Sequence, residues 1–344
     1  MRLLVILGQE LVAKDFITHK KGSDILILTA GFGRYYLASQ RLKFALLKQV
    51  EHVDVVAVDI SFFRQIMHES DSLVDCYNSK VRGFNYWKWK PIIIDHFLSK
   101  GYKIVVYIDA GCEVNPCLFE DAITWFKNER DLSLLLTRTG TTLKQYVKPS
   151  VIDFFDMHSS THCEMFQFGI VFLKGTQKVL DFFRTATKYA LNDDYSYLFN
   201  DELEANEIVS DQFIEHRHDQ SVMNMLLHKY FSSSEVGVVN STLEPDQAAL
   251  AWLNSPILAA RNSKGISTYR LLQEFGTKSK IPKYLWFVVK IKNLLLRLFN
   301  GNVVILKMLN DNFSCRVFSE KLVEFSPPEL IDSHMQFKKD RVNE

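Results

Sequence analysis

The chain has 344 residues, of which 47% are hydrophobic and 24% are charged. This length and balance are typical of a globular protein with a substantial core and exclude wholesale disorder. The formal net charge is +1, which excludes attraction of the whole molecule to nucleic acid as the basis of its function.

The first residues and the cysteines indicate the compartment. Residues 1–10 contain one arginine and a short apolar run without a small-residue cleavage site, which is typical of a strand or anchoring turn and not of a signal peptide. No stretch reaches the roughly 18 apolar residues of a membrane-spanning helix. The five cysteines are scattered and form no C-x-x-C pair. We therefore expect reduced thiols in a cytoplasmic protein.

Apolar runs and helical periodicities predict an α/β protein. The strands are expected at residues 23–30, 52–59, 102–108, 132–137, 166–174 and 236–239, and the helices at residues 37–50, 91–100, 178–190 and 218–230. Strand, helix and strand in this order are the opening unit of a doubly wound sheet. Residues 192–209 are acidic and polar, and we expect a surface excursion there.

The chain divides into three predicted parts. Residues 1–22 are an N-terminal strand or anchor, residues 23–262 are the main α/β domain, and residues 263–344 are a C-terminal amphipathic helical region and tail. Within the last part, residues 281–307 interleave apolar residues with lysines and an arginine. Such a stripe either lies on an anionic membrane or packs on the main domain, and both interpretations stay open here.

Three polar clusters follow predicted strands or begin a predicted helix, at the sheet edge where open parallel sheets bind ligands. The first contains Thr29, Gly31, Arg34 and Tyr35. Small residues let a ligand approach the backbone, and an aromatic ring can stack on a base. The spacing matches neither the dinucleotide fingerprint nor a P-loop, so this cluster alone favours a plain glycine turn.

The second cluster joins residues 82–91 (RGFNYWKWKP) to residues 107–115 (YIDAGCEVN). Asp109 ends a very apolar strand, where a carboxylate needs a cation, a hydrogen-bond donor or solvent. A divalent cation that bridges two phosphates is one such partner, with Glu113 as a second ligand. The alternative is that Asp109 caps a turn. The lysines of the first segment either face a diphosphate or extend past packed aromatic rings to solvent.

The third cluster is residues 216–221 (HRHDQS), at the start of the last predicted helix. Asp219 or Ser221 can cap that helix. Capping does not explain two histidines, an arginine, an aspartate and a glutamine within six residues, so a functional interpretation is favoured. The cluster has the side chains for a general base, a metal ligand and a phosphate clamp.

The ordered segments RGFNYWKWKP, YIDAGCEVN and EHRHDQS together resemble bacterial glycosyltransferases that assemble O-antigen and capsular polysaccharide. Residues 33–42 and 256–262 are also similar to the opening and closing segments of that family. The resemblance covers roughly residues 23–262. It implies a GT-A-like fold for nucleotide-diphospho-sugars, which is a Rossmann-like mixed sheet with flanking helices, followed by a C-terminal helical appendage. It also implies a hexosyltransferase.

The resemblance implies roles for individual residues. Asp219 is the candidate general base that deprotonates the acceptor hydroxyl. Asp109 stands where such enzymes hold Mn²⁺ or Mg²⁺ on the donor diphosphate. Gly111 replaces the second carboxylate of the usual pair, so Glu113 or His216 is expected to complete the metal site. The implied donor-binding residues are Thr29, Gly31, Arg34, Tyr35, Arg41, Trp87, Lys90, Asp109, Ala110, Gly111, Arg217 and Gln220.

The implied partners are a nucleotide-sugar donor and a glycan or lipid-linked oligosaccharide acceptor. Peripheral contact with the inner face of the cytoplasmic membrane is expected through residues 281–307. Two rival classes stay open. One is a non-catalytic glycan-binding protein that keeps the fold. The other is a nucleotidyltransferase or sugar-phosphate transferase, which releases pyrophosphate or a nucleoside monophosphate instead of a nucleoside diphosphate.

Overall fold

A computed structural model of the chain describes residues 17–18, 23–69, 80–114, 116–204, 207–239 and 257–258. Its strands are β1 (Ile17–Thr18), β2 (Ile25–Ala30), β3 (Asp54–Val58), β4 (Ile104–Ile108), β5 (Glu113–Val114), β6 (Leu134–Thr142), β7 (Glu164–Lys174), β8 (Val236–Val239) and β9 (Ile257–Leu258). Its α-helices are α1 (Tyr36–Gln49), α2 (Ile60–Glu69), α3 (Trp89–Leu98), α4 (Pro116–Asn128), α5 (Leu143–Tyr146), α6 (Pro149–Phe155), α7 (Gln177–Leu191) and α8 (His218–Tyr230).

Seven of these strands form one mixed sheet in the order β1-β3-β2-β4-β7-β6-β8. The strands β3, β2 and β4 are parallel, β8 is parallel to β6, and β7 is antiparallel to both of its neighbours. The short strands β5 and β9 pair separately. The predicted α/β class, with a Rossmann-like mixed sheet and flanking helices, is confirmed.

The two faces of the sheet have separate cores. Along β2, Leu26 and Leu28 enter the larger core with helices α2, α3, α7 and α8, whereas Ile27 enters the smaller core with α1 and α4. Successive side chains of a strand point to opposite faces. A strand that is covered by helices on both faces must therefore be apolar at every position, which explains the continuous apolar runs in the sequence.

Strand β7 carries a bulge next to the end of β4. Its pairing with β4 continues as far as Ile108. On the other side, the consecutive residues Leu136 and Thr137 of β6 have partners that lie four positions apart in β7, Val171 and Gln167. Residues 168–170 therefore have no partner in β6, and of these three Ile170 pairs with Ile108 of β4. Bulges often redirect a strand beside a functional site.

A left-handed helical turn leads into α3. The five consecutive residues Gly83–Trp87 have φ between 56° and 74°. Each non-glycine residue in this conformation costs about 1–2 kcal/mol. The carbonyl of Gly83 accepts hydrogen bonds from the Trp87 N–H (3.2 Å) and from the indole N–H of Trp89 (3.0 Å). The turn thereby fixes the start of the helix that carries Lys90.

Side-chain hydrogen bonds fasten the first turns of α8 to strand β7 and to helix α5. The Asn224 amide accepts from the Phe166 N–H at 2.7 Å and donates to the Phe166 carbonyl at 2.8 Å. Gln220 donates to the same carbonyl at 3.0 Å. Ser221 donates to the Tyr146 carbonyl at 2.6 Å. These bonds fix the position of the polar cluster at the start of α8.

The predicted surface excursion at residues 192–209 is only partly correct. Leu198 and Phe199 are fully buried in the larger core. The ammonium group of the buried Lys148 donates to the Asn200 side chain and to the Glu202 carbonyl, both at 2.8 Å. The segment is therefore anchored at its centre, because two large apolar side chains outweigh the polar character of their neighbours.

Several predictions concern residues outside the described ranges. They include most of residues 1–22, all of residues 263–344 with the basic stripe at 281–307, and most of the closing segment 256–262. The predicted domain boundaries therefore stay predictions. None of the helices within the described ranges is long and apolar enough to span a membrane.

Candidate active site

A buried lysine lies between two carboxylates at the carboxyl end of β4. The Lys90 Nζ atom is 3.4 Å from Asp109 Oδ1 and 3.3 Å from Asp219 Oδ2. Lys90 belongs to the first turn of α3, Asp109 to the loop after β4, and Asp219 to the first turn of α8. The second and third polar clusters of the sequence therefore meet at one point, which we call the Lys90 site.

Burial distinguishes the three residues of the Lys90 site. The side chains of Lys90 and Asp219 are 8% and 7% exposed, whereas that of Asp109 is 42% exposed. A buried charge is tolerated only when it is paired. Lys90 and Asp219 therefore form the wall of the site, and Asp109 is the carboxylate that a ligand can reach.

The environment sets the protonation of both buried groups. Burial lowers the pKa of Lys90, but the charges of Asp109 and Asp219 outweigh it, and the pKa lies above its ordinary value. Burial raises the pKa of Asp219 to about 6; the charge of Lys90 opposes this shift. At pH 7, Lys90 is an ammonium group and Asp219 is an ionised carboxylate with the raised basicity that suits a general base.

Tyr107 supports Asp109 from within β4. Its hydroxyl donates to Asp109 Oδ1 at 2.8 Å, and its ring centroid is 5.4 Å from Lys90 Nζ. Burial, followed by the negative charge of Asp109, raises the pKa of Tyr107 well above its ordinary value, so the hydroxyl stays a donor. The sequence prediction missed this residue. Its signal is a tyrosine two positions before Asp109, on the same side of the strand.

Arg41 holds the loop that follows Asp109. Its Nη2 atom donates to the carbonyls of Ala110 (3.2 Å) and Cys112 (3.0 Å). Burial lowers the pKa of Arg41, and the charge of Glu113 opposes this shift. Glu113 is itself buried in β5. This geometry gives Arg41 a role in shaping the loop around the half-buried Gly111.

The predicted metal ligands do not come together around Asp109. The ring of the buried His216 contacts the Leu198 carbonyl through Nε2 (2.8 Å) and accepts from the Lys148 N–H through Nδ1 (3.4 Å). Burial lowers its pKa to about 3. With both nitrogens engaged, His216 is not a metal ligand in this arrangement. In the part of the chain that the structure describes, no three His, Cys, Asp or Glu side chains are grouped to hold a metal.

His218 differs from its neighbour His216. Its Nδ1 atom is 2.8 Å from the Phe199 carbonyl, which places the ring hydrogen on Nδ1. Its Nε2 atom is buried and has no hydrogen-bond partner among the described residues. The rings of Tyr86 and Trp87 stack on it, with centroids 4.9 Å and 5.6 Å away. The sequence prediction did not single out His218, because the pattern does not show which histidine is satisfied.

Two residues of the first polar cluster, Thr29 and Gly31, pack against the rest of the fold. Thr29 is fully buried in β2. A side chain at Gly31 would collide with Ser39 of α1, so the close approach of strand and helix requires glycine there. Arg34 is exposed, with its guanidinium 5.2 Å from the Tyr35 ring centroid. These contacts agree with the plain glycine turn that this cluster alone favoured.

The remaining predicted donor-binding residues already have protein partners. The guanidinium of Arg217 stacks on Tyr146, with Cζ 3.5 Å from the ring centroid, and its Nε lies 3.6 Å from Glu215. Gln220 is engaged with strand β7, and Trp87 stacks on His218. Lys90 and Asp109 are therefore the predicted donor-binding residues that the structure brings into one charged site with Asp219.

Comparison with known proteins finds similarity at the level of structure. No family model matches the chain, and no curated protein matches it. Mouse xyloside xylosyltransferase 1 is 11% identical, with 62% of this chain and 84% of that chain covered and a TM-score of 0.36. The galactosyltransferase LgtC, solved with donor and acceptor sugar analogues, is 11% identical, with 71% and 81% covered and a TM-score of 0.34.

A synthase is also among the similar structures. The 4-diphosphocytidyl-2C-methyl-D-erythritol synthase of Anaerococcus prevotii is 13% identical, with 63% of this chain and 87% of that chain covered and a TM-score of 0.32. Similarity at this level of identity and TM-score identifies neither a substrate nor a reaction. Both must be inferred from the side chains of this chain.

Proposed function

We propose that the chain transfers a sugar from a nucleotide-diphosphate donor to a hydroxyl group of a glycan acceptor. The observation that carries this proposal is the Lys90 site, where a buried ammonium group lies between two carboxylates at the carboxyl end of a parallel strand. Open α/β sheets bind their ligands at this edge. The sequence resemblance to polysaccharide-assembling glycosyltransferases supports the choice of reaction.

The charges of the site suit a diphosphate leaving group. Transfer breaks the bond between the anomeric carbon and a diphosphate oxygen, so negative charge grows on the diphosphate. Lys90 keeps its proton and offers a fixed positive charge to this group. Asp109 is the accessible carboxylate that would hold a Mn²⁺ or Mg²⁺ ion together with diphosphate oxygens, and such an ion supplies further positive charge.

Asp219 is the proposed general base. Its pKa of about 6 leaves it ionised at pH 7 and more basic than an ordinary aspartate. In this role it accepts the proton of the acceptor hydroxyl while that oxygen attacks the anomeric carbon. Direct attack of the acceptor inverts the configuration at that carbon, so the role also predicts the stereochemistry of the product.

Product analysis tests the reaction class. Purified protein is incubated with UDP-, GDP- and dTDP-sugars, Mn²⁺ or Mg²⁺, and a glycan acceptor, and the released nucleotide is identified. We expect a nucleoside diphosphate. Release of pyrophosphate or a nucleoside monophosphate would instead identify a nucleotidyltransferase or sugar-phosphate transferase. Binding without turnover on any acceptor would support a non-catalytic glycan-binding protein.

A matched pair of variants tests the site itself. Asp109→Ala is expected to lower turnover at least about 100-fold, since it removes the accessible carboxylate. Asp153→Ala removes an exposed carboxylate of α6 and is expected to retain turnover. Circular dichroism and the melting temperature establish that both variants fold. Full turnover by Asp109→Ala would overturn the assignment of the site.

The acceptor class rests on the sequence resemblance. We propose an O-antigen or capsular glycan on a lipid carrier, with residues 281–307 contacting the inner face of the cytoplasmic membrane. Turnover on a lipid-linked oligosaccharide in anionic vesicles is expected to exceed turnover on the same oligosaccharide without lipid. Equal rates on both acceptors would remove the lipid from the proposal.

A further inference from the structure

We infer that Gly169 is a positioning residue for Asp109, because the absence of a side chain at this point of β7 makes room for the Asp109 carboxylate. The catalytic meaning of this inference rests on the proposed function. The contact between the two residues does not, since it is a property of the fold and can be measured without any substrate.

The geometry leaves no space for a β-carbon at position 169. An added Cβ atom would lie 2.6 Å from Asp109 Oδ2 and 3.3 Å from Asp109 Cγ. Real Cβ atoms essentially never approach another heavy atom within 3.0 Å. Gly169 is not among the residues with positive φ. An alanine here would therefore force the Asp109 carboxylate to move, although the backbone conformation itself does not require glycine.

Asp109 cannot avoid such a methyl group without losing other contacts. Its N–H donates to the Gly169 carbonyl at 2.7 Å, which fixes the two main chains side by side. Its Oδ1 atom accepts from Tyr107 and lies 3.4 Å from Lys90 Nζ. A rotation that moves Oδ2 away from position 169 also moves Oδ1. Gly169 thus determines where the carboxylate stands relative to Lys90.

The bulge in β7 explains how Gly169 comes to lie beside Asp109. Residues 168–170 have no partner in β6, and Ile170 pairs with Ile108 at the end of β4. The Gly169 carbonyl is thereby free to accept the hydrogen bond from the Asp109 N–H. A regular strand of β-branched residues at this edge would place a side chain against Asp109. The bulge and the glycine together give the carboxylate its place at the end of the parallel strands.

A double-mutant cycle tests the contact in the full-length protein. Urea unfolding is measured for wild type, Gly169→Ala, Asp109→Ala and the double variant. Truncation of Asp109 removes the colliding atoms and leaves its Cβ atom 3.9 Å from the added methyl group, an ordinary contact distance. Gly169→Ala is expected to lower the urea midpoint in wild type and to leave it unchanged or raise it in Asp109→Ala. Equal losses in both backgrounds would overturn the inference.

The kcat/KM of sugar transfer tests the positioning role. Gly169→Ala is expected to lower kcat/KM about 100-fold, the effect of a carboxylate misplaced by about 1 Å. The control is Gly237→Ala in β8, where the added methyl group meets the ends of the Leu132 and Leu135 side chains, and it is expected to retain turnover.

The unfolding cycle and the turnover measurement distinguish a failure of the positioning role from a failure of the proposed function. Coupling in the unfolding cycle with unchanged turnover in Gly169→Ala would overturn the positioning role. If wild type transfers no sugar from any donor, the proposed function fails, and the unfolding cycle still decides whether Gly169 makes room for Asp109.

Discussion

Asp219 combines a negative charge with almost complete burial. Its Oδ2 atom is enclosed and has Lys90 as its ionic partner at 3.3 Å. Burial raises its pKa to about 6 against the opposing charge of Lys90. Two roles are compatible with this environment. Asp219 either accepts the proton of the acceptor hydroxyl or serves only as the fixed counter-charge that keeps Lys90 in place.

The pH profile of Asp219→Asn separates these roles. For a general base, kcat/KM of wild type rises with pH through about 6, as Asp219 loses its proton, and then levels off. Asparagine has nearly the same shape but accepts no proton. We expect kcat/KM to fall about 10²–10⁴-fold and the rise near pH 6 to disappear. Kinetics between pH 4.5 and 8 measure both effects.

A variant that keeps the rise near pH 6 would contradict the role of general base. Asp219 would then act as a counter-charge to Lys90. The melting temperature of the variant, compared with wild type at each pH, shows whether a loss of activity comes from a loss of structure.

At the scale of elements, the turn Gly83–Trp87 concentrates backbone strain immediately before the Lys90 site. Four non-glycine residues with positive φ follow one another here. Such residues persist only where the surroundings hold them, and they are common near functional sites. The stacking of Tyr86 and Trp87 on His218, together with the hydrogen bonds to the Gly83 carbonyl, supplies this restraint.

Substitution of two glycines tests how the turn is held. Both Gly83 and Gly140 have positive φ, but a side chain at Gly83 would collide with the Trp87 ring, whereas the space beside Gly140 is open. Gly140→Ala is expected to cost about 1 kcal/mol of unfolding free energy, from strain alone. Gly83→Ala is expected to cost about 2–4 kcal/mol, because it also displaces Trp87 from His218.

Urea unfolding measures both losses, and tryptophan emission reports whether Trp87 moves. Equal losses for Gly83→Ala and Gly140→Ala would show that the contact between Trp87 and His218 does not hold the turn.

The sheet and the main helices could be predicted because apolar runs and helical periodicity are local properties of the sequence. The antiparallel direction of β7 could not, since an apolar run is the same in either direction. The left-handed turn could not be predicted either, because Gly83 and Asn85 favour positive φ but Phe84, Tyr86 and Trp87 do not. Helices α2, α4, α5 and α6 were also missed.

At the candidate site, Lys90, Asp109 and Asp219 could be singled out as polar residues at strand and helix ends. Tyr107 carries a usable signal, because it lies two residues before Asp109 on the same side of β4. Gly169 carries none, since its role depends on which strand lies beside Asp109 in the sheet, and no spacing in the sequence encodes that relation. Sequence also could not distinguish the satisfied ring of His216 from that of His218, which has one unpartnered nitrogen among the described residues.

At the scale of the whole molecule, buried histidines make the fold sensitive to acid. Burial lowers the pKa of His216 to about 3, of His228 to about 4, and of His218 below its ordinary value. The unfolded chain takes up protons at these residues near pH 6.5, while the folded chain does not. The contribution of these neutral histidines to the free energy of unfolding is therefore fully present above pH 6.5. It is lost as the pH falls from 6.5 towards their lowered pKa values in the folded chain. Asp219, whose pKa is raised, has the opposite effect below about pH 6.

His228→Gln is expected to reduce this acid sensitivity. The amide of glutamine can donate to the Glu164 carbonyl, which His228 contacts through Nε2, but it does not titrate. With folded and unfolded pKa values of about 4 and 6.5, His228 removes about 2 kcal/mol of stability between pH 7 and pH 5. Urea unfolding measures the free energy of unfolding at both pH values. The loss between pH 7 and pH 5 should be about 2 kcal/mol smaller in His228→Gln than in wild type. An unchanged difference would contradict the assigned cause.

The distribution of the Lys90 site along the chain has a consequence for biosynthesis. Lys90 and Asp109 are made early, whereas Asp219 follows much later, and the contact between Lys90 and Asp219 closes a long loop. A ribosome-bound chain that ends before α8 has no second carboxylate for the ammonium group of Lys90. Burying that group with Asp109 alone as its counter-charge is costly, so we expect α3 to pack fully onto the sheet only after α8 has been synthesised. Packing of α3 and assembly of the three charges of the Lys90 site then occur together.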